Sequence, residues 1–241
     1  MVSKNQLKLI KSLHQKKYRN EHGLFFIEGV KAITELLNSG INLHQILTTR
    51  NFSSSTNLGK TVEITNSDLK KISAFQNPSG DLAVFEIPKP KQIDFDDWIV
   101  VLDDIRDPGN LGTIIRLCDW FGIKNLVCSK ETVDCYNPKV LQATMGSIAR
   151  INIAYRDLKL FLSKASTPIY GSFMRGNSIY KEVYPKAGIL ILGNEANGIS
   201  TKLDGFIKQR ITIPQFGDKS TESLNVATAT AIMLSEVRRE N

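Results

Sequence analysis

Apolar residues recur along this chain in two alternating rhythms, a helical spacing of three to four and short unbroken runs, which predicts an α/β protein. Leu7, Ile10 and Leu13 mark a first helix, LFFIEG (24–29) a strand, and VKAITELLNSG (30–40) a helix stopped by Gly40. HQILTT and TVEIT follow as strands, NSDLKKISAF (66–75) as a helix capped by Asn66, and LAVFEI as another strand. PKPK (88–91) then punctuates the chain, because proline fixes its own dihedral and pushes its predecessor toward extended backbone.

Beyond Asp97 the alternation lengthens. WIVVLDD, KNLVCS, RINIAY, PIYGSF, AGILILG and RITIP read as strands, separated by helices at 110–122, 137–146, 157–165 and 201–207 and followed by a long helix from Ser223. Nearly continuous apolar strands between helices imply a parallel sheet covered on both faces, with ligands at the carboxyl ends of its strands. The expected organisation is a small α/β domain at 1–87, a linker at 88–97 and a larger α/β domain at 98–241.

Composition narrows the chemistry. The chain has 241 residues and no apolar stretch near the ~20 residues of a membrane span. Its start lacks the apolar core of a secretory signal, so the cytoplasm is the expected location. Cys118, Cys128 and Cys135 form no metal or disulfide pattern and read as reduced packing residues. His14, His22 and His44 all precede residue 45, so the larger domain works without histidine, and no metal is expected. The net charge is +7, and residues 1–20 carry Lys4, Lys8, Lys11, Lys16, Lys17 and Arg19 with no acid. Such a segment is either a surface for nucleic-acid phosphates or a solvated helix face.

Three loops, each after an expected strand, hold the conspicuous residues. In DDIRDPGNLGTIIR (103–116), Pro108, Gly109 and Gly112 shape a turn into a helix whose free N–H groups suit an anionic or polar ligand. Arg116 sits beside that helix's apolar stripe and is either functional or snorkelling at its edge. In ILILGNEANG (189–198) one carboxylate, Glu195, lies between two glycines, as a functional group or a simple turn acid. In ITIPQFGDKSTESLNVATATA (211–231), Ser223 is a good helix cap, Asn225 is poorly explained as a helix residue, and the small residues that follow permit close packing.

In this order and spacing the three segments resemble the motifs of the SpoU, or TrmH-like, RNA ribose 2′-O-methyltransferases of the SPOUT superfamily. Asn110, Gly112 and Arg116 match the first, Gly193, Glu195 and Gly198 the second, and Pro214, Ser223, Leu224 and Asn225 the third. SLHQKKYRNEHGLFFIEGVKAITELL resembles the family's substrate-binding extension, so the likeness spans nearly the whole chain. Ala196 departs from it where many members have a second glycine, and the 215–222 loop is longer than usual.

The resemblance implies a knotted (trefoil) catalytic domain, a homodimer, and methyl transfer from S-adenosylmethionine to RNA, ribosomal RNA before transfer RNA. It implies catalytic roles for Arg116, Asn110, Glu195, Ser223 and Asn225. The family's motif-one arginine has been viewed as the base, assisted by an RNA phosphate; the alternative preferred here, since a guanidinium stays protonated, is that Arg116 holds phosphate and stabilises alkoxide charge. Asn110 and Asn225 would orient the ribose or Arg116, and Glu195 would order its loop. Ser172, Leu192, Gly193, Asn194, Gly198, Ile211, Ile213 and Leu224 would hold the cofactor, and Lys16, Lys17 and Arg19 would grip RNA phosphates. Two rivals fit less well: no Gly-x-Gly-x-x-Gly follows a strand as a dehydrogenase requires, and no cysteine sits in a context that activates it for pyrimidine C5-methylation. A non-catalytic RNA-binding protein shares the basic first domain and is distinguished by cofactor binding.

Overall fold

The computed structural model describes residues 2–49, 58–217 and 223–239, which group into two compact units: 1–89 with 134–149, and 90–133 with 150–241. Residues 134–149, expected in the larger domain, thus belong with the first unit.

The first unit is a four-stranded sheet in the order β1-β4-β2-β3, built from β1 (Leu24–Glu28), β2 (Leu43–Thr48), β3 (Thr61–Glu63) and β4 (Asp81–Glu86). β4 runs antiparallel to both neighbours, while β2 and β3 are parallel. All five residues of β1 are buried, so both faces of the sheet are covered. Leu24 and Phe26 pack with Ile10 and Leu13 of the amino-terminal segment and with Leu69 and Ile72, on the side of helices α1 (Lys4–Ser12) and α4 (Asn66–Ile72). Phe25 stacks on Phe85 and meets Tyr136, which helps explain why 134–149 and its helix α6 (Pro138–Thr144) join this unit. Thr65, not Asn66, caps α4, accepting a hydrogen bond from the Asp68 N–H.

Helix α2 (Lys16–His22) has no apolar periodicity and is held by one buried cation. Arg19 is only 2% exposed. Its guanidinium pairs with Asp134 through Nε and Nη2 and donates from Nη1 to the carbonyls of Leu13 (2.8 Å) and His14 (3.0 Å). This corrects the expectation that Arg19 grips RNA: its donors are committed to the fold. Arg19→Ala strands the Asp134 carboxylate and two carbonyls, and is expected to lower the unfolding free energy by about 3–5 kcal/mol in a urea titration. A loss under about 1 kcal/mol would mean that these groups find other partners.

The second unit is an all-parallel six-stranded sheet in the order β10-β8-β9-β5-β6-β7. Its strands are β5 (Ile99–Asp103), β6 (Asn125–Cys128), β7 (Asn152–Tyr155), β8 (Ile169–Ser178), β9 (Ile189–Gly193) and β10 (Gln209–Thr212). β5, β6 and β9 are apolar runs buried almost throughout, as a sheet covered on both faces demands. Chain order reverses between β5 and β9: after β5 the chain turns toward β6 and β7, whereas after β9 it continues to β10 at the opposite edge. Loops leaving the carboxyl ends of these two adjacent strands diverge there, opening the crevice where such sheets bind ligands.

Helix α5 (Pro108–Trp120) follows β5 and contacts the last helix, α8 (Val226–Arg238), whose buried stripe runs through Val226, Ala227, Thr230, Met233, Leu234 and Val237. Arg238 locks the far ends, donating to the Phe121 carbonyl (3.0 Å) and pairing with Asp97 (2.8 Å). No helix among the described residues is long and apolar enough to cross a membrane.

Candidate active site

β5 ends in Asp103, whose side chain is 1% exposed and whose Oδ2 accepts from the Ser200 N–H at 2.8 Å. Its Oδ1 is buried with no hydrogen-bond partner among the described residues. Asp104 then takes a left-handed φ of 61°, and its carbonyl accepts from Asn194 Nδ2 at 2.8 Å. Backbone and side chain of this Asp-Asp pair therefore tie the loop after β5 to the loop after β9.

α5 starts as its sequence dictates. Asp107 is the N-cap, accepting from the Asn110 N–H at 2.7 Å, and Pro108 fills the first helical position, where its missing N–H costs nothing. Gly109 and Gly112 lie inside this helix, not in a turn before it.

The loop after β9 closes on itself. Asn194 N–H donates to the Gly198 carbonyl (3.0 Å) and Gly198 N–H to the Asn194 carbonyl (2.8 Å), while Asn194 Oδ1 accepts from the N–H groups of Ala196 and Asn197. Asn194, rather than Glu195, orders this loop. Glu195 is left exposed at its tip, facing the start of α5.

The third segment corrects a further expectation. The cap of α8 is Asn225, whose Oδ1 accepts from Ala227 N–H (2.9 Å) and Thr228 N–H (3.3 Å), and Ser223 is exposed two residues earlier. Asparagine is a mediocre interior helix residue but among the best caps, which accounts for its place here. Its free amide does more: Asn225 Nδ2 donates to Asn110 Oδ1 (2.9 Å), and Asn110 Nδ2 donates to Glu195 Oε1 (2.7 Å). One chain of side chains thus joins three segments 85 and 115 residues apart.

Arg116 is not part of that chain. Six residues beyond Asn110 it lies roughly 240° around the helix, on an exposed face with Thr113 and Trp120, and its guanidinium has no hydrogen-bond or ion-pair partner among the described residues. The expectation that Asn110 or Asn225 orients Arg116 within one chain is therefore not met, since among the described residues the side-chain bonds of both amides go to each other, to Glu195 and to the cap.

Of the residues expected around a cofactor, Leu192, Gly193, Asn194, Gly198, Ile211 and Ile213 lie at or just beyond the carboxyl ends of β9 and β10, Ser172 lies within β8, and Leu224 immediately precedes the Asn225 cap of α8. Gly171 lies level with Ile191 of β9 and with Arg210 of β10, but the next β10 residue, Ile211, pairs with Asn177. Residues 172–176 are therefore an excursion of β8 beside the ends of its neighbours, and Ser172 opens it. Leu192 and Ile211 are 1% and 0% exposed, so they offer main-chain groups, whereas Ile213 is half-buried and Leu224 exposed. Gly193 fits a cradle: a Cβ there would lie 2.2 Å from Gly198 C and Ile199 N. Strand-end amides and carbonyls beside exposed apolar side chains suit a nucleoside with a charged tail. The part of the 215–222 loop beyond residue 217 lies outside the described residues.

Sequence reasoning missed Asp103, Asp107 and Ser200. The Asp-Pro pair at a helix start signals the cap, and an acid ending an apolar strand signals Asp103, but its bond to Ser200 spans 97 residues and leaves no local mark. All three cysteines are buried, and burial pushes the Cys118 thiol up to about 12, which leaves almost no thiolate for nucleophilic chemistry at neutral pH. Among the described residues no cluster of His, Cys, Asp and Glu is placed to hold a metal ion.

Comparison with known proteins bears on this geometry. Residues 97–235 match the model of the SpoU rRNA Methylase family, and residues 4–83 that of the MRM3-like substrate binding domain. The 23S rRNA (guanosine(2553)-2′-O)-methyltransferase RlmP of Bacillus subtilis is 30% identical over 244 residues, covering 98% of this chain and 97% of that protein. A TrmH-family structure from Porphyromonas gingivalis is 36% identical and superposes with a TM-score of 0.90 over 100% of both chains. An AdoMet-bound rRNA methyltransferase from Sinorhizobium meliloti is 30% identical, with a TM-score of 0.89 over 99% of this chain and 97% of that one.

Proposed function

The chain belongs to the SpoU rRNA methylase family, and from that premise we infer that it transfers a methyl group from S-adenosylmethionine to a ribose 2′-hydroxyl of RNA, with ribosomal RNA as the substrate. The observation that carries this reading is the Glu195–Asn110–Asn225 chain, which brings all three motif segments together at the reversal point of a parallel sheet.

S-adenosylmethionine, held by Ser172, the 192–198 loop, Ile211, Ile213 and Leu224, supplies an electrophilic methyl on a sulfonium. The protein's task is to align a weakly acidic hydroxyl in line with that methyl and to favour its alkoxide. Arg116 supplies a fixed cation that holds the nucleotide's phosphate and stabilises the developing charge without losing a proton. Asn110 and Asn225, locked by their mutual bond, orient the ribose, with Ser223 assisting, and Glu195 fixes the Asn110 amide.

The same reading makes the working form a homodimer with the knotted threading of its family, in the cytoplasm. Arg116 shares an exposed helix face with Trp120, which is 83% exposed. A bare indole beside an unpaired guanidinium is the mark of a surface covered by another chain. A second copy over this face would present Arg116 to the partner's site.

Incubating the purified protein with labelled S-adenosylmethionine and unmodified ribosomal RNA, followed by nucleoside analysis, tests the reaction. A 2′-O-methylated nucleoside is expected; label in a base would refute the ribose assignment, and label in transfer RNA alone would move the substrate.

Lys16 and Lys17 are exposed on α2 and retain the phosphate-gripping role. Replacing both with Gln is expected to reduce the salt dependence of RNA affinity by roughly one unit of slope per lost contact. An unchanged slope would return them to a solvated face.

A further inference from the structure

Outside the motif segments, the first unit contains a groove of about 790 Å³ between α1, α2 and the end of α4. Lys8 and Lys11 line it from α1, Lys71 from α4, and Tyr18 and His22 from α2. Lys8 and Lys11 are exposed one helical turn apart and have no ion-pair partner among the described residues, whereas Lys71 shares its charge with Asp68 at 2.7 Å. The Tyr18 and His22 rings lie 6.5 Å apart and only 16° from parallel, one turn apart on α2, with Lys17 Nζ 5.5 Å from the Tyr18 centroid. His14 forms the floor, its Nε2–H donating to the Ile72 carbonyl at 2.8 Å and its ring against Phe26.

We propose that this groove binds an unpaired stretch of the RNA substrate, one base stacking on Tyr18 and His22 while Lys8 and Lys11 hold the adjoining phosphates. It rests on the RNA-binding part of the function above and adds the form of RNA read by this unit. Two free cations spaced along α1 and near-parallel rings in one trough are the combination that single-strand binders use, since every base has a π face and every nucleotide a phosphate. The volume lies within the range of about 300–1,000 Å³ typical of small-ligand pockets, enough for a nucleotide. A duplex hides its base faces and would leave the rings unused.

The test is fluorescence anisotropy of the full-length protein with a labelled oligoadenylate of about eight nucleotides and with a hairpin duplex. Tyr18→Ala is expected to weaken oligoadenylate binding about tenfold with an unchanged salt slope and unchanged duplex affinity, and Tyr18→Phe to bind as the wild type does. Lys8→Gln with Lys11→Gln is expected to lower the salt slope by about 1.4, at roughly 0.7 per single-strand phosphate. Wild-type affinity in Tyr18→Ala, equal losses for single strand and duplex, or a Tyr18→Phe loss matching Tyr18→Ala would each overturn the proposal. Methyl transfer is read separately: a protein that binds oligoadenylate through Tyr18 and methylates nothing sinks the enzymatic reading and leaves the groove standing.

Discussion

Arg116→Ala is expected to abolish methyl transfer, by about a thousandfold or more, while leaving the affinity for S-adenosylmethionine within about twofold of wild type. The expectation follows from position. Arg116 lies on the exposed face of α5, roughly 240° around the helix from Asn110, the residue that bonds Glu195 of the 192–198 loop, so the proposed cofactor cradle is not expected to depend on it. Its guanidinium has no partner among the described residues, so its loss strands no buried charge and stability should hold within about 0.5 kcal/mol. Lysine at this position retains charge but loses the planar fork that engages a phosphate through two N–H groups, and should restore little activity. Isothermal titration with the cofactor and single-turnover methylation separate the two effects. Lost cofactor binding would sink the assignment. Because Arg116 stands apart from Asn110 and Asn225 of its own chain, mixtures of Arg116→Ala and Asn225→Ala proteins should regain part of the activity that each lacks. No recovery would place Arg116 in the site of its own chain.

Local pattern made the architecture legible, and distance in sequence hid the rest. β5, β9 and α5 declare themselves because burial on both faces, or along one stripe, leaves an uninterrupted apolar signal. α2 does not, because Lys-Lys-Tyr-Arg-Asn-Glu-His carries its one buried side chain as a charge. The basic segment and the family resemblance make Arg19 a phosphate ligand, but its partner Asp134 lies 115 residues on, and that same pair helps draw 134–149 into the first unit. The second half of β8, Phe173–Ser178, is half-buried to exposed and lacks a strand's alternation, so the excursion at the carboxyl end of the sheet leaves no pattern in the sequence.

Asn225 shows the same limit from the other side. Its poor helix propensity leaves it unexplained as a helix residue, and the structure gives it a structural duty as the cap of α8 as well as a bond to Asn110. The cap and the bond to Asn110 are both structural duties, so the position of Asn225 alone does not separate a folding role from the proposed catalytic one. What distinguishes them is a group that the fold does not need, and Arg116 is such a group.

Gly193→Ala tests the cradle from the opposite direction, with the fold itself at stake. A Cβ at residue 193 would stand 2.2 Å from Gly198 C and Ile199 N and 2.4 Å from Gly198 O. All three are backbone atoms, so no rotamer change relieves the clash: either the 194–198 turn opens or the end of β9 withdraws from β5, where Gly193 pairs with Asp103. Opening the turn breaks the paired Asn194–Gly198 bonds and pulls Ser200 from Asp103, whose carboxylate would then be buried with neither oxygen bonded. Overpacking of this kind costs about 1–3 kcal/mol, and the displaced backbone is the surface expected to meet the cofactor. Gly193→Ala should therefore weaken S-adenosylmethionine binding about a hundredfold or more and lower the Tm by several degrees. Gly198→Ala is the control: its φ of +67° makes alanine strained by roughly 1–2 kcal/mol, yet nothing lies within 4 Å of the added carbon. It should cost comparable stability with a much smaller loss of affinity. If the two variants lose cofactor in proportion to their stability, the loop is a structural turn and the cradle lies elsewhere; if Gly193→Ala alone loses it, the close approach of residues 193 and 198 is what shapes the binding surface.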